Sequence, residues 1–244
     1  MAMTESGPAI HDLSLSFNGL VIFRDFSMEF TRQKITCILG PSGCGKTTLL
    51  NVIAGLLKPD VGRISGVEEK AISCIFQEDR LLPWKTAMEN IRFVLKNRLS
   101  HKEQEETIVR YLQMVGLEGF GSYYPNQLSG GMRQRVSIAR AFSFPSDLIL
   151  MDEPFKGLDI ATKASLMQSI KTLWINDKRT AVYVTHDLDE ALYFGHRIIV
   201  FSQRPVRILG EFVQTEDEWS DQGAASRLQR AIRTLFDTGD QNPS

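Results

Sequence analysis

The chain has 244 residues, 28 Lys+Arg against 29 Asp+Glu for a formal charge of −1, and 43% hydrophobic residues. Such a composition supports a sizeable core and excludes global disorder, and the balanced charge argues against a dedicated nucleic-acid binder, which would carry a basic domain or stripe. No apolar run approaches the roughly 18 residues of a membrane span, no apolar signal core stands at the N-terminus, and the odd set of Cys37, Cys44 and Cys74 fits reduced thiols better than a disulfide framework.

In chain order, the first thirty residues read as strands. Leu13, Leu15 and Phe17 alternate with polar residues, Asn18-Gly19 signals a hairpin, and Phe26, Met28 and Phe30 alternate on the return. A strand from Ile35 to Leu39 stops at Gly40, and a helix follows with Leu49, Ile53 and Leu56 on one face. Ala71 to Phe76 is a further strand. Three helices are predicted next: Thr86 to about Arg98, one opened by the capping box Ser100-His101-Lys102-Glu103 and stopped by Gly116, and one from near Ser129 to about Ala141. Strands at Leu148–Met151, Ala181–Val184 and Arg197–Phe201 then alternate with helices at Ala161–Asn176 and Leu188–Phe194, the pattern of a parallel, doubly wound sheet. The last thirty residues are polar and acidic apart from an amphipathic run through Leu228, Ile232 and Leu235.

Gly40-Pro41-Ser42-Gly43-Cys44-Gly45-Lys46-Thr47 fits G-x-x-x-x-G-K-[ST] between a strand and a helix. Glycines let successive backbone N–H groups turn inward around a polyphosphate, and the helix that follows presents its positive end. Lys46 then reaches the β- and γ-phosphates and the Thr47 hydroxyl can ligate Mg²⁺. Leu148-Ile149-Leu150-Met151-Asp152-Glu153 supplies the acidic partner: a buried strand with Asp152 at its carboxyl end to hold Mg²⁺ through water. Glu153 follows, placed to take a proton from an attacking water. The two features together point to nucleotide hydrolysis.

Leu128-Ser129-Gly130-Gly131-Met132-Arg133-Gln134-Arg135 adds a second anion-binding device, with exposed N–H groups, a hydroxyl and a helix dipole. Out of context it would be a Ser N-cap with a flexible Gly-Gly entry. In context it resembles the signature of the ATP-binding cassette (ABC) ATPases, and the resemblance covers about residues 9 to 210 with the motifs in family order.

That resemblance implies an α/β fold: a P-loop NTPase (RecA-like) core with a mainly parallel sheet, an N-terminal antiparallel β-subdomain and an inserted α-helical subdomain. Residues 1–77 and 146–210 would form the nucleotide-binding core, 78–145 the helical subdomain and 211–244 a C-terminal tail. It implies that Phe17 stacks on adenine, where a lone Phe on such a strand would otherwise read as core. The loop from Gly40 to Thr47, with Thr48, would hold the phosphates of ATP. Gln77 would touch Mg²⁺ and the attacking water, Asp159 would communicate across a dimer, and His186 would contact the γ-phosphate. Ser129, Gly130 and Gly131 would complete the site of a second copy of the chain.

A finer resemblance lies in Gln77-Glu78-Asp79-Arg80-Leu81-Leu82-Pro83-Trp84, which looks like ATPase subunits of importers for nitrate, sulfonates, taurine and thiamine-precursor pyrimidines. It implies an integral-membrane permease as partner, an extracytoplasmic solute-binding protein acting indirectly, and a peripheral place on the cytoplasmic side of the inner membrane. No nucleic acid is expected. The exposed Leu-Leu-Pro-Trp run could also be a local packing corner. Two departures stand out: Lys156-Gly157 replaces the small Gly/Ser-Ala pair usual before Leu-Asp, and the stretch before Gln77 is short, so part of the peripheral β-subdomain is expected to be trimmed. The regulatory β-domain of sugar-importer ATPases is not expected after about residue 210. The alternatives are a non-transport ABC ATPase, or a P-loop kinase, which would need no Leu-Ser-Gly-Gly element.

Overall fold

The computed structural model describes residues 6–67, 72–220 and 222–239. The chain divides into two units, residues 1–72 with 179–244, and residues 73–178.

In the first unit, β1 (Ser6–Phe17) and β2 (Leu20–Thr31) form the hairpin predicted at Asn18-Gly19. Both turn residues have positive φ, 49° and 81°, the backbone of a primed turn whose twist suits the flanking strands. Phe23, Phe26, Met28 and Phe30 turn inward. A third strand, β4 (Val61–Ser65), pairs antiparallel with the other edge of β1. β4 is not legible in the sequence, because it is largely exposed and carries Gly62, so no apolar alternation marks it. The β-subdomain therefore retains three strands.

The second sheet of this unit is built on β3 (Ile35–Leu39), which lies between β7 (Thr180–Thr185) and β8 (Arg197–Phe201), parallel to both. All five residues of β3 and all six of β7 are buried, as expected of parallel strands covered on both faces. An antiparallel strand that the sequence analysis missed, β9 (Ile208–Val213), extends the sheet beyond β8. Three helices complete the unit: α1 (Lys46–Ile53), α6 (Leu188–Phe194) and α7 (Gln222–Gly239). Among the described residues, the acidic tail is helical over Asp217–Ser220 and Gln222–Gly239. Its apolar run docks α7 on β9: Ile232 is buried, and the Leu235 side chain occupies the space a side chain at Gly210 would need.

The second unit holds β5 (Ile72–Ile75) beside β6 (Leu148–Asp152), with α2 (Ala87–Leu95), α3 (His101–Met114), α4 (Gly130–Ser143) and α5 (Ile160–Asp177). Ala71, predicted to begin β5, lies outside the described residues. Capping boxes open both α2 (Thr86 with Glu89) and α3 (Ser100 with Glu103): each hydroxyl accepts the N3 amide, and each glutamate accepts the N-cap amide at 2.8 Å. Ile91, Leu95, Ile108, Leu112, Val136 and Ile138 are buried side chains of α2, α3 and α4. Among the described residues no helix is long and apolar enough to cross a membrane. Cys37, Cys44 and Cys74 are free thiols.

Candidate functional site

The phosphate loop follows from its strand. β3 delivers the chain to Gly40 at its carboxyl end, and Cys44 N–H donates to Pro41 O (3.3 Å) while Leu49 N–H donates to Gly45 O (2.9 Å). The loop therefore closes on itself and runs directly into α1. Gly45 stands at φ +131°, and a Cβ there would meet Ile22 Cγ2 at 2.8 Å, so both backbone and space require glycine. No side chain caps α1 and no acidic residue lies in its first turn, so no negative charge of that turn opposes an anion at the helix's positive end.

Lys46 is 5% exposed, and its ammonium donates to Gly40 O at 2.8 Å and to Pro41 O at 2.9 Å. The positive charge is thereby held inside the loop. Ser42, Gly43 and Thr47 are exposed, while Pro41 and Thr48 are half-buried. Cys44 is fully buried, and burial pushes its thiol up against a partial offset from the Lys46 charge. Its contribution is packing and a backbone amide, not a reactive thiolate.

The register of β3 and β7 pairs Leu39 with Thr185, so His186 leaves the sheet at the same edge as the phosphate loop. Ligands of open α/β sheets bind at that edge, beyond the carboxyl ends of the strands. His186 is exposed, and the turn that carries it is pinned on both sides. Buried Glu190 accepts from Tyr183 Oη and from Thr185 Oγ1, each at 2.6 Å, and Thr185 Oγ1 accepts Asp187 N–H at 3.0 Å. Asp187 caps α6 through the amides of Asp189 and Glu190. Burial, with the Glu190 charge beside it, pushes the Tyr183 phenol well up, so it stays a donor. Phe17 ends β1 with 43% exposure, whereas Leu13 and Leu15 earlier in the strand are buried, which removes its reading as a core residue.

The second unit carries the remaining predicted residues. Four buried apolar residues of β6 lead to half-buried Asp152 and then to Glu153, which is 9% exposed and has φ +41°. Lys156 Nζ stands 3.1 Å from Glu153 Oε2, a charge contact without hydrogen-bond alignment. Gln134 of α4 donates to Pro154 O at 2.9 Å and fixes the loop after Glu153. Gln77 is exposed just past β5, in a loop that two arginines of α4 hold: Arg133 Nε donates to Asp79 Oδ2 at 2.9 Å, and Arg140 donates to Asp79 O and Arg80 O at 3.0 and 2.9 Å.

Ser129 and Gly130 are exposed at the start of α4. The Ser129 hydroxyl accepts Met132 N–H at 3.3 Å, so it serves as an N-cap and keeps its own proton to donate. Gly131 is required by close approach, since a Cβ there would lie 2.8 Å from Thr162 Cγ2 in the first turn of α5. Asp159 caps that turn by accepting Thr162 N–H at 3.0 Å, and the Thr162 hydrogen bonds hold its carboxyl below the usual range. Both devices thus meet at Thr162. The Leu-Leu-Pro-Trp run is half packing corner and half surface: buried Asn90 holds Leu82, Lys85 and Thr86 backbone groups at 2.8–3.2 Å, yet Trp84 is 69% exposed.

The supporting residues were not found from sequence. Glu190 had a signal, because Asp187 followed three residues later by a glutamate is a helix-start pattern. Gln134, Arg133 and Arg140 reach partners 20 to 61 residues away, which no local pattern encodes, whereas Asn90 holds backbone groups only four to eight residues before it.

Residues 23–156 match the ABC transporter family. An uncharacterised ABC transporter ATP-binding protein of Methanocaldococcus jannaschii is 41% identical over 201 residues, 79% of this chain and 75% of the relative. A taurine import ATP-binding protein of Rhizobium johnstonii is 39% identical, covering 76% and 74%, and a nitrate import ATP-binding protein of Synechococcus elongatus is 36% identical, covering 80% and 74%. Among solved structures, a dimeric ATP-binding cassette in a post-hydrolysis state, bound to ADP and Pi, superposes with a TM-score of 0.70 at 31% identity, over 84% of this chain and all of that one. Together with the phosphate loop and the folded arrangement around it, these likenesses establish that the chain belongs to the ABC transporter family and has the fold of its ATPase cassettes.

Proposed function

We propose that this chain is the ATP-hydrolysing subunit of an importer, working as a head-to-tail pair beneath a separate integral-membrane permease, on the cytoplasmic face of the inner membrane. The observation that carries the reading is Lys46: a nearly buried ammonium, closed into a glycine loop at the head of an uncapped helix, is a receptor for phosphate oxygens. The taurine and nitrate importer names of relatives, together with exposed Trp84, support the transport role. The cargo in this reading is a small anion such as a sulfonate, taurine or nitrate, or a thiamine-precursor pyrimidine, delivered by an extracytoplasmic binding protein; the relatives' names support taurine and nitrate. In this reading residues 1–77 and 146–210 are the nucleotide-binding core, and 78–145 the helical subdomain.

Phe17 stacks on the adenine, and the amides from Gly40 to Thr48 with Lys46 hold the phosphates. The donors available to a divalent ion are hard oxygens, the Thr47 hydroxyl, the Asp152 carboxylate and the Gln77 amide, a set that suits Mg²⁺. When bound, Mg²⁺ neutralises charge on the β- and γ-phosphates. Glu153 takes the proton of the attacking water as its oxygen bonds to the γ-phosphorus and the bond to ADP breaks; the proton then passes to solvent. His186 contacts the γ-phosphate. Ser129, Gly130 and Gly131 of one copy cover the nucleotide held by the other, and Asp159 serves the contact between copies.

The test is a trapped pair. Glu153→Gln keeps the side chain's shape but removes its capacity to accept the proton. With ATP it should accumulate as a dimer, seen by light scattering as a doubling of the 27.5 kDa mass. Adding Ser129→Arg should abolish the doubling and leave ATP binding to the monomer. A Glu153→Gln chain that binds ATP and stays monomeric at high concentration overturns the head-to-tail pair.

A further inference from the structure

Glu153 sits at a bend built from its own neighbours. Its backbone lies in the left-handed region at φ +41°, Lys156 N–H donates to Glu153 O at 3.1 Å, and Leu158 N–H donates to Phe155 O at 3.3 Å. Two overlapping turns therefore fold residues 153–158 back on themselves, and Gly157 at φ +79° completes the reversal. Phe155 is 2% exposed, Pro154 is buried, and Gln134 holds the Pro154 carbonyl, so the bend is anchored from within. This geometry brings the fourth residue of the bend over the first. That fourth residue is Lys156.

The result is the 3.1 Å contact between Lys156 Nζ and Glu153 Oε2. The two partners differ in exposure: 11% of the Glu153 side chain is accessible against 45% for Lys156, and Oε2 itself is covered. A carboxylate stripped of water and facing a cation is held far more firmly than one in an exposed pair. A general base must present a lone pair within about 3 Å of the water it deprotonates. The oxygen that faces Nζ is turned to the ammonium instead.

We infer that Lys156 is a positioning residue that restrains Glu153 and so slows basal ATP hydrolysis by this chain. The inference rests on the proposed role of Glu153 as base. Lys156 touches no phosphate in it; it acts only through the orientation of the carboxylate. The brake is therefore a property of turnover and not of nucleotide affinity.

Steady-state hydrolysis of MgATP by the full chain tests it. Lys156→Met keeps the length of the stem and removes the charge, and it should raise kcat by about three- to tenfold, a modest slice of the effect a positioned base commands. KM for ATP should stay within about twofold, and the melting temperature should fall or at best hold, because Glu153 loses its facing cation; a kcat that rises without a gain in stability is a split that a merely structural role would not produce. Lys156→Arg restores a cation over the carboxylate and should return kcat to the parent value. An unchanged or lower kcat in Lys156→Met overturns the brake, as does a gain that Lys156→Arg shares. In Glu153→Gln, Lys156→Met should confer no gain; a gain there means that Lys156 acts elsewhere. Full turnover by Glu153→Gln alone would instead remove the base itself, a failure of the underlying reading that is separate from the first two.

Discussion

Single side chains in this protein do more than their motif positions indicate. From sequence, Lys46 is a charge for phosphates; in the fold it also ties Gly40 and Pro41 carbonyls, so its removal frees two acceptors as well as deleting a cation. Lys46→Ala should therefore lower ATP affinity by about 10- to 150-fold, the worth of roughly 1.5–3 kcal/mol for hydrogen bonds to a charged group. It should also cost about 1–2 kcal/mol of stability for the carbonyls left behind. Titration calorimetry and thermal melting measure the two separately, and undiminished ATP binding would sink the phosphate-loop assignment. The motif residues were legible because their chemistry is local. Their supports were not: Arg133, Gln134 and Arg140 are ordinary polar letters on a helix until tertiary contacts give them partners to hold.

At the scale of elements, α4 ties together what the sequence presents as separate motifs. Its first turn carries Ser129 and Gly130, its second turn reaches Asp79 and Pro154, and Arg140 near its end holds the loop after Gln77. A displacement of α4 would thus be felt at both the Gln77 and the Glu153 loops. The run from Leu81 to Trp84 depends instead on Asn90 of α2, which fixes its backbone and leaves Trp84 outward. Replacing Leu82 and Trp84 with Ala should leave basal ATPase within about threefold, since neither touches a phosphate ligand, and should weaken capture of the chain by its permease. Co-purification from membranes measures the capture; loss of basal hydrolysis with intact capture would make the run purely structural. Helices with capping boxes and strands with buried runs are legible from sequence to within about three residues, the largest difference being the end of α2, expected near Arg98 and found at Leu95. β4 and β9 escaped because edge strands half open to solvent show neither continuous burial nor clean alternation.

For the molecule as a whole, the most consequential feature is where β3 finds its neighbours. This strand is apolar apart from Thr36, is buried throughout, and pairs on one side with β7 and on the other with β8. Between β3 and those partners runs the whole of the second unit, residues 73–178. A ribosome adding roughly 5–20 residues each second therefore completes β3 about 8–30 s before β8 emerges. During that interval Ile35, Ile38 and Leu39 form a sticky segment with unpaired backbone on both edges, the kind of stretch that invites association between nascent chains. Chains ended after Lys178 should be cut by protease within residues 35–39 and should aggregate, while the full chain resists at the same sites; peptide mapping of the digests distinguishes them. Parallel pairing across so long an intervening sequence also makes closure slow. Production of this subunit should accordingly be governed by the supply of holdase chaperones and by translation speed across residues 73–178, more than by the equilibrium stability of the finished fold.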